Sequence, residues 1–391
     1  MLGIVFWVCI LAVVYVYAGY PIFVYLLAKI LGRRVENQPV RPTVTMLFSA
    51  LNEEKVIAKK LENSLELDYP RERLQILVVN DGSTDQTSNI VKRYLDKGVD
   101  FVDLPHRKGK LSAIKNALSH VKGDIILFSD ADNYYPPDAL RETVKYFSAP
   151  SVGAVSGGRN VVGDGALGNA EGLYWKYEEF IKRQESRLGS CVGVAGDLLA
   201  VRRELYIPPP ENVINDDFYN VLSILKQGYR IIYAPEARSF HPVAGTEQQE
   251  MERRARMVAG RYQAIFFFWR VLPWGSPVAL WQIVSHKYLR PIVPLFMVLA
   301  FWANFLALFF PSDRLHQGWL FLLYPYNWIF FVAQLVFYSL AWIGRKRKFS
   351  GLVGKLLYVP SFLVNSNIAA LQGLYRFLTS NQTVLWKKAE R

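Results

Sequence analysis

Cysteine is nearly absent from this sequence: of 391 residues only Cys9 and Cys191 carry a thiol. Two cysteines, one of them inside an apolar segment, cannot build a disulfide framework, so a reducing compartment is implied. No Gly-x-Gly-x-x-Gly opens the turn after the first strand-like run, and no Walker lysine loop occurs anywhere. Both absences weigh against dinucleotide or ATP binding. Zinc-ligand spacing and RNA-binding signatures are also missing, so the net charge of +13 is not read as a nucleic-acid footprint. Many of the basic residues flank apolar segments instead, which points to charge held near a membrane.

Apolar residues are abundant. They make up 51% of the chain, aromatics 14% and charged residues 20%, and the mean hydropathy is +0.11. That is too apolar for an ordinary soluble protein and too charged for one lying wholly in a membrane, so a soluble domain joined to membrane segments is expected. Residues 2–28 contain no charged side chain, long enough to cross a hydrocarbon layer of about 30 Å. A basic start and a small-residue cleavage site are not evident, so residues 1–30 are expected to be a retained span. Lys29, Arg33 and Arg34 follow at once, placing the next domain in the cytoplasm and the protein in the cell (inner or plasma) membrane. Residues 263–290 mix aromatics with His286, Lys287 and Arg290 and are expected to form interfacial amphipathic helices. Residues 291–391 are expected to hold two uncharged spans, 291–310 and 319–343, and a further one over 356–374. Asp313 and Arg314 stand alone in the loop between the first two, and Arg345, Lys346, Arg347 and Lys348 close the second on the cytoplasmic side. Lys387 and Lys388 at the C-terminus run against that rule if 356–374 crosses.

Between them, residues 40–262 alternate strand and helix every 25 to 30 residues or so, the pattern of a doubly wound α/β domain with a mostly parallel sheet. Strands are expected over 43–49, 74–80, 101–104 and 125–128, with helices up to about 67 and over 110–121. Residues 125–128 are short, β-branched and aromatic, and deliver Asp130 and Asp132 into a loop. In open α/β sheets ligands gather at the carboxyl ends of strands. Two carboxylates at that spacing can face one hard cation carrying phosphate oxygens, although an Asx turn capping the next helix would look the same. Glu53, Asp81, Asp130 and Asp132 could meet a nucleoside's hydroxyl and imide donors and a cation, and Lys110 could reach a phosphate. Asp81 and Asp85 also suit turns, and for Asp85 the turn is the expected role. Asp216 and Asp217 precede a helical run; they complement its dipole, and adjacent carboxylates also raise one another's proton affinity, making one a candidate base.

The motifs together resemble the family 2 glycosyltransferases. These are Ala50-Leu51-Asn52-Glu53-Glu54, Val79-Asn80-Asp81-Gly82-Ser83-Thr84-Asp85, Gly109-Lys110-Leu111-Ser112-Ala113, Asp130-Ala131-Asp132, Gly196-Asp197-Leu198-Leu199-Ala200-Val201-Arg202-Arg203-Glu204, and Asn215-Asp216-Asp217-Phe218. The resemblance implies a GT-A fold plus α-helical transmembrane segments, and a metal-dependent inverting hexosyltransferase that uses a nucleotide diphospho-sugar, expected to be a UDP-sugar. It implies a donor site at Ala50, Asn52, Glu53, Asp81, Lys110 and Asp130, with Asp81 on the base. Mg²⁺ or Mn²⁺ would sit on Asp132 and Asp130, and Asp217, flanked by Asp216, would be the catalytic base. A basic helical stretch lies where polysaccharide synthases of this kind carry Gln-(Gln/Arg)-x-Arg-Trp. Arg256 matches its arginine, whereas Arg253 replaces the glutamine and Met257 the tryptophan, a departure that tells against processive synthesis. Arg253 and Arg256 could clamp a diphosphate or lie on anionic headgroups. The partners implied are a nucleotide-sugar donor, a glycan or lipid acceptor (a growing polysaccharide, a diacylglycerol, a ceramide or a polyprenyl phosphate) and the bilayer. The competing class is a non-catalytic nucleotide-sugar sensor or assembly subunit.

Overall fold

The computed structural model describes residues 1–33, 35–162, 166–242, 247–310, 319–346 and 351–379. Arg34, Asp313, Arg314, Arg347, Lys348, Lys387 and Lys388, used above to orient the chain, lie outside them. The chain divides into two compact units. One is formed by Met1–Phe23, Glu247–Tyr262 and Val284–Gln382, the other by Val24–Thr246, Gln263–Ile283 and Thr383–Arg391.

The second unit is built on a seven-stranded sheet in the order β3-β2-β1-β4-β6-β5-β7. Here β1 (Val44–Ala50), β2 (Leu74–Asp81), β3 (Val99–Leu104) and β4 (Ile125–Phe128) run parallel to one another. Of β5 (Val152–Val162), β6 (Leu199–Arg202) and β7 (Arg230–Pro242), β6 is antiparallel to both β4 and β5, and β5 and β7 are parallel. The mostly parallel α/β sheet is therefore the one expected, and β4 has the expected bounds. The register sets Val44 opposite both Leu74 and Ile125, and one core gathers Met46, Phe48, Ile76, Val78 and Leu127. Each such side chain stabilises the fold by roughly 1.5–3 kcal/mol on burial. Strand order reverses between β1 and β4, and the crevice at that switch point is where this sheet type places ligands.

Among the described residues three helices are long and apolar enough to cross a membrane: Leu2–Leu31, Pro277–Phe309 and Tyr326–Arg345. Ile4, Leu11, Trp302, Ile329 and Val332 on them are exposed. Within the first unit, Phe6 and Cys9 pack on Ala300, Ala303 and Ala307, small residues that let helices approach closely.

The second apolar helix begins at Pro277, so residues 277–290, within the segment expected to hold interfacial helices, run without a break into the span expected from 291. The polar residues that suggested an interface are buried: His286 lies 6.0 Å from Tyr20 between ring centroids, and Ser285 Oγ is 2.7 Å from Tyr15 Oη. The Gly351–Leu378 helix, which covers the further span expected over 356–374, is not among the three. Its polar positions serve packing, with Asn367 Nδ2 donating to Tyr17 Oη at 3.1 Å and Ser361 Oγ to the Ala341 carbonyl at 3.1 Å.

Candidate active site

The carboxyl ends of β1, β2 and β4 supply the site. After β1, Asn52 adopts φ +54° and its side-chain oxygen accepts the Thr84 N–H at 2.8 Å, while its own N–H donates to Ser83 Oγ at 2.9 Å. The Glu53 N–H donates to Thr87 Oγ1 at 2.7 Å. These bonds tie the Ala50–Glu53 loop to the one after β2. There Asp81 is buried, and its carboxylate accepts the Lys108 N–H at 2.8 Å and the Gly109 N–H at 2.9 Å. Gly82 is required beside it: its φ is +69°, and a Cβ would stand 2.5 Å from the Arg107 nitrogen. Asp85 shapes the turn as expected, accepting the Thr87 N–H at 2.9 Å.

After β4, Asp130 and Asp132 are partly exposed, as hydrated ligands of a cation would be. Lys110 Nζ, from the N-terminus of the Lys110–Ala117 helix, lies 3.2 Å from Asp130 Oδ1. Burial would raise the Asp130 carboxyl, yet Lys110 overrides it and holds it below the usual carboxylate range. Burial likewise opposes the Lys110 charge, but Asp130, Asp216 and Asp217 outweigh it and keep the ammonium well above its ordinary value. One lysine is thus shared by the carboxylate proposed for a cation and the pair proposed for the base.

Asp216 and Asp217 open the Asp216–Lys226 helix without capping it, because Asn215 Oδ1 takes the Phe218 N–H at 3.2 Å. With the cap assigned to Asn215, the two carboxylates are free for other work. Asp217 faces Gly196, where a Cβ would meet its carboxyl atoms in outright collision; only glycine allows this seat. Burial first, then the Asp216 carboxylate, pushes Asp217 up to about 8 against the opposing pull of Lys110. A small pocket joins them, lined by Ser49, Lys110, Ser129, Gly196, Asp216 and Asp217 among others.

Lys60 and Asn133 in this neighbourhood belong to none of the sequence motifs. Lys60 is fully buried beneath the Asp130–Asn133 loop, its Nζ donating to the Asn133 carbonyl at 2.9 Å and to Asn133 Oδ1 at 2.7 Å. It stands 4.2 Å from the Tyr135 ring centroid. Burial pushes it down to about 7, although Asp130, Asp132 and Asp197 pull the other way. Asn133 Nδ2 continues to the Asp197 carbonyl at 2.7 Å and to Ser239 Oγ at 3.0 Å. Asp197 Oδ2 in turn accepts from Ser239 Oγ at 2.7 Å and lies 2.6 Å from His241 Nε2; burial would raise this carboxyl, but His241 holds it low. One signal for Lys60 was readable: it falls on the stripe of Ile57, Leu61 and Ser64 that the Ile57–Leu65 helix buries, where a lysine demands an explanation.

Among the described residues no group of three His, Cys, Asp or Glu side chains stands ready to hold a metal alone. A Mg²⁺- or Mn²⁺-type site does not need one, since such ions take one or two carboxylates and fill the remaining positions with phosphate oxygens and water. Asp130 and Asp132 fit that donor set. Arg253 and Arg256 lie on the Glu247–Phe267 helix, in the stretch that belongs to the other compact unit.

The fold has a close counterpart among solved structures. The mannosyltransferase PcManGT of Pyrobaculum calidifontis, determined in complex with GDP-Man and Mn²⁺, matches 98% of this chain and 100% of its own with a TM-score of 0.70 at 24% identity. The architecture is the GT-A fold. Residues 46–207, the stretch that holds Asp81, Lys110, Asp130 and Asp132, match the family model for Glycosyl transferase family 2. Among curated proteins, it is 25% identical to the beta-monoglucosyldiacylglycerol synthase of Synechocystis over 71% of this chain and 61% of that one. It is 26% identical to the poly-beta-1,6-N-acetyl-D-glucosamine synthase of Staphylococcus aureus over 57% and 55% respectively. The chain spans a little over half the length of these relatives.

Proposed function

We propose that this chain is a membrane-bound inverting hexosyltransferase that moves a sugar from a nucleotide diphospho-sugar to a glycan or lipid acceptor. The observation that carries the reading is Asp217: a carboxyl raised to about 8, seated on Gly196 and sharing Lys110 with Asp130. An acceptor hydroxyl is a poor nucleophile. A base near neutrality takes its proton as it attacks the anomeric carbon, and one such base with one displacement gives inversion. Asp216 keeps the proton affinity of Asp217 high by like-charge repulsion. Lys110 offsets the charge that gathers between the leaving phosphates and the carboxylates. Ala50, Asn52, Glu53 and Asp81 would receive the nucleoside. A Mg²⁺ or Mn²⁺ ion held by Asp130 and Asp132 would stabilise the diphosphate leaving group. The Mn²⁺ and GDP-Man found with PcManGT support this cation and a nucleotide-sugar donor.

The 1–30 helix and the C-terminal helices would hold the 40–262 domain at the cytoplasmic face, where nucleotide sugars are made. A lipid acceptor is favoured over a growing polymer by Met257, which replaces the synthases' tryptophan, and by the longer match to a glycolipid synthase. The test is a panel of GDP- and UDP-sugars with Mg²⁺ or Mn²⁺ and the detergent-purified protein. Radiolabel extracted with lipid supports the glycolipid reading and radiolabel in precipitated polymer supports the polysaccharide one. No release of nucleoside diphosphate from any donor would leave the sensor or assembly-subunit reading.

A further inference from the structure

Asn220 stands one turn beyond Asp216 and Asp217 on the same helix face and lines the same pocket. It is buried, and its amide oxygen meets neither solvent nor a hydrogen-bond donor among the described residues. Leaving a buried amide oxygen unpaired costs about 1–3 kcal/mol. Leucine, of nearly the same shape, would remove that cost, so an asparagine here calls for a partner that arrives from outside the fold. The pocket has the room and the chemistry for one. Its free volume of about 10 Å³ matches one water-sized group, and its wall carries Ser49, Ser129 and Tyr206 besides Asp217. Burial and the Asp216 and Asp217 carboxylates hold the Tyr206 phenol far above its ordinary value, so it stays a hydrogen-bond donor.

We propose that Asn220 is a positioning residue of the reaction, its amide oxygen accepting a hydrogen bond from an O–H group lodged in the pocket beside Asp217. Two sources present that chemistry. A bound water donates one hydrogen bond to Asn220 and the other to the Asp217 carboxylate. A sugar acceptor does the same with neighbouring hydroxyls, the reacting one on Asp217 and the next on Asn220. In both cases the group fixes where the Asp217 carboxyl points and how tightly it holds its proton. The inference rests on the reading of Asp217 as the base.

The test compares Asn220→Leu with the unaltered chain, full length in detergent, following nucleoside diphosphate release from GDP-mannose, UDP-glucose and UDP-N-acetylglucosamine, whichever is turned over. Release is measured with and without an added membrane lipid extract, across pH 6 to 9, alongside thermal unfolding. Asn220→Leu is expected to melt at or above the native temperature, to lose about tenfold or more in turnover, and to shift the rising limb of the pH profile. Loss in both release to water and extract-stimulated release identifies the bound water. Loss confined to the stimulated release, seen as a raised KM, identifies the acceptor hydroxyl. Native turnover, KM and pH profile in a more stable Asn220→Leu would overturn the proposal. If that variant does not fold, Asn220→Ala, which opens space instead of filling it, carries the same comparison. Asp217→Asn measured in parallel separates the two readings: activity surviving there removes the base, whereas an inactive Asp217→Asn beside a native-like Asn220→Leu removes only the role of Asn220.

Discussion

As the proposed base, Asp217 would set the pH at which this site works. Its carboxyl, raised to about 8 by burial and Asp216, would accept a proton from the acceptor only after losing its own. The rate should therefore rise as pH climbs from 6 toward 8, and that limb should vanish in Asp217→Asn. Stability runs the opposite way. Between roughly pH 4, where an unfolded aspartate ionises, and about 8, the folded chain holds a proton that the unfolded chain has released, so raising the pH through this window weakens the fold. Asp217→Asn has no proton to lose, and it should gain more in melting temperature over the native chain at pH 8 than at pH 5. An equal difference at both values would show that the carboxyl is not raised. Asp132 gives a second prediction at this scale. Asp132→Ala should lose turnover and bind Mn²⁺ more weakly, because the ion keeps one carboxylate instead of two. Full activity of this variant in EDTA would remove the cation from Asp132.

The Ile57–Leu65 helix straps down the loop that carries Asp130 and Asp132. Lys60 holds Asn133, and one turn later Asn63 exchanges two 2.8 Å bonds with the Tyr135 backbone. Removing one partner from a buried polar network is destabilising, and the effect should reach the loop. Lys60→Met is expected to lower the melting temperature and weaken Mn²⁺ binding together, read by thermal unfolding and by titration of the ion's magnetic resonance signal; a native value for both would mean that the strap is idle. β4 was legible in the sequence because a run of four apolar β-formers between turn residues has few other solutions, and Asp130 and Asp132 follow from it by position. The strap was not. Lys60 and Asn133 are 73 residues apart, and no local pattern reports such a contact. Gly196 was visible inside a motif, but its reason, the seat of Asp217, is a packing fact that only the folded chain contains.

For the molecule as a whole, the apolar segments were readable by length and charge alone, and among the described residues three helices have the length and apolarity to span. Where the second of them begins was not readable, because His286 and Lys287 look interfacial in sequence but are buried in the fold. The proposed topology puts the sheet-bearing domain in the cytoplasm, so a protease site inserted near Lys97 should resist protease added outside intact cells and be cut after lysis. Cleavage in intact cells would reverse the orientation. The account as a whole stands on base-assisted sugar transfer at Asp217, and the most direct measurement is the turnover of Asp217→Asn beside its affinity for the donor. Donor affinity should be unchanged, and turnover should fall by roughly 10²- to 10⁴-fold, the range general-base catalysis contributes. Turnover close to that of the native chain, with donor affinity unchanged, would contradict it.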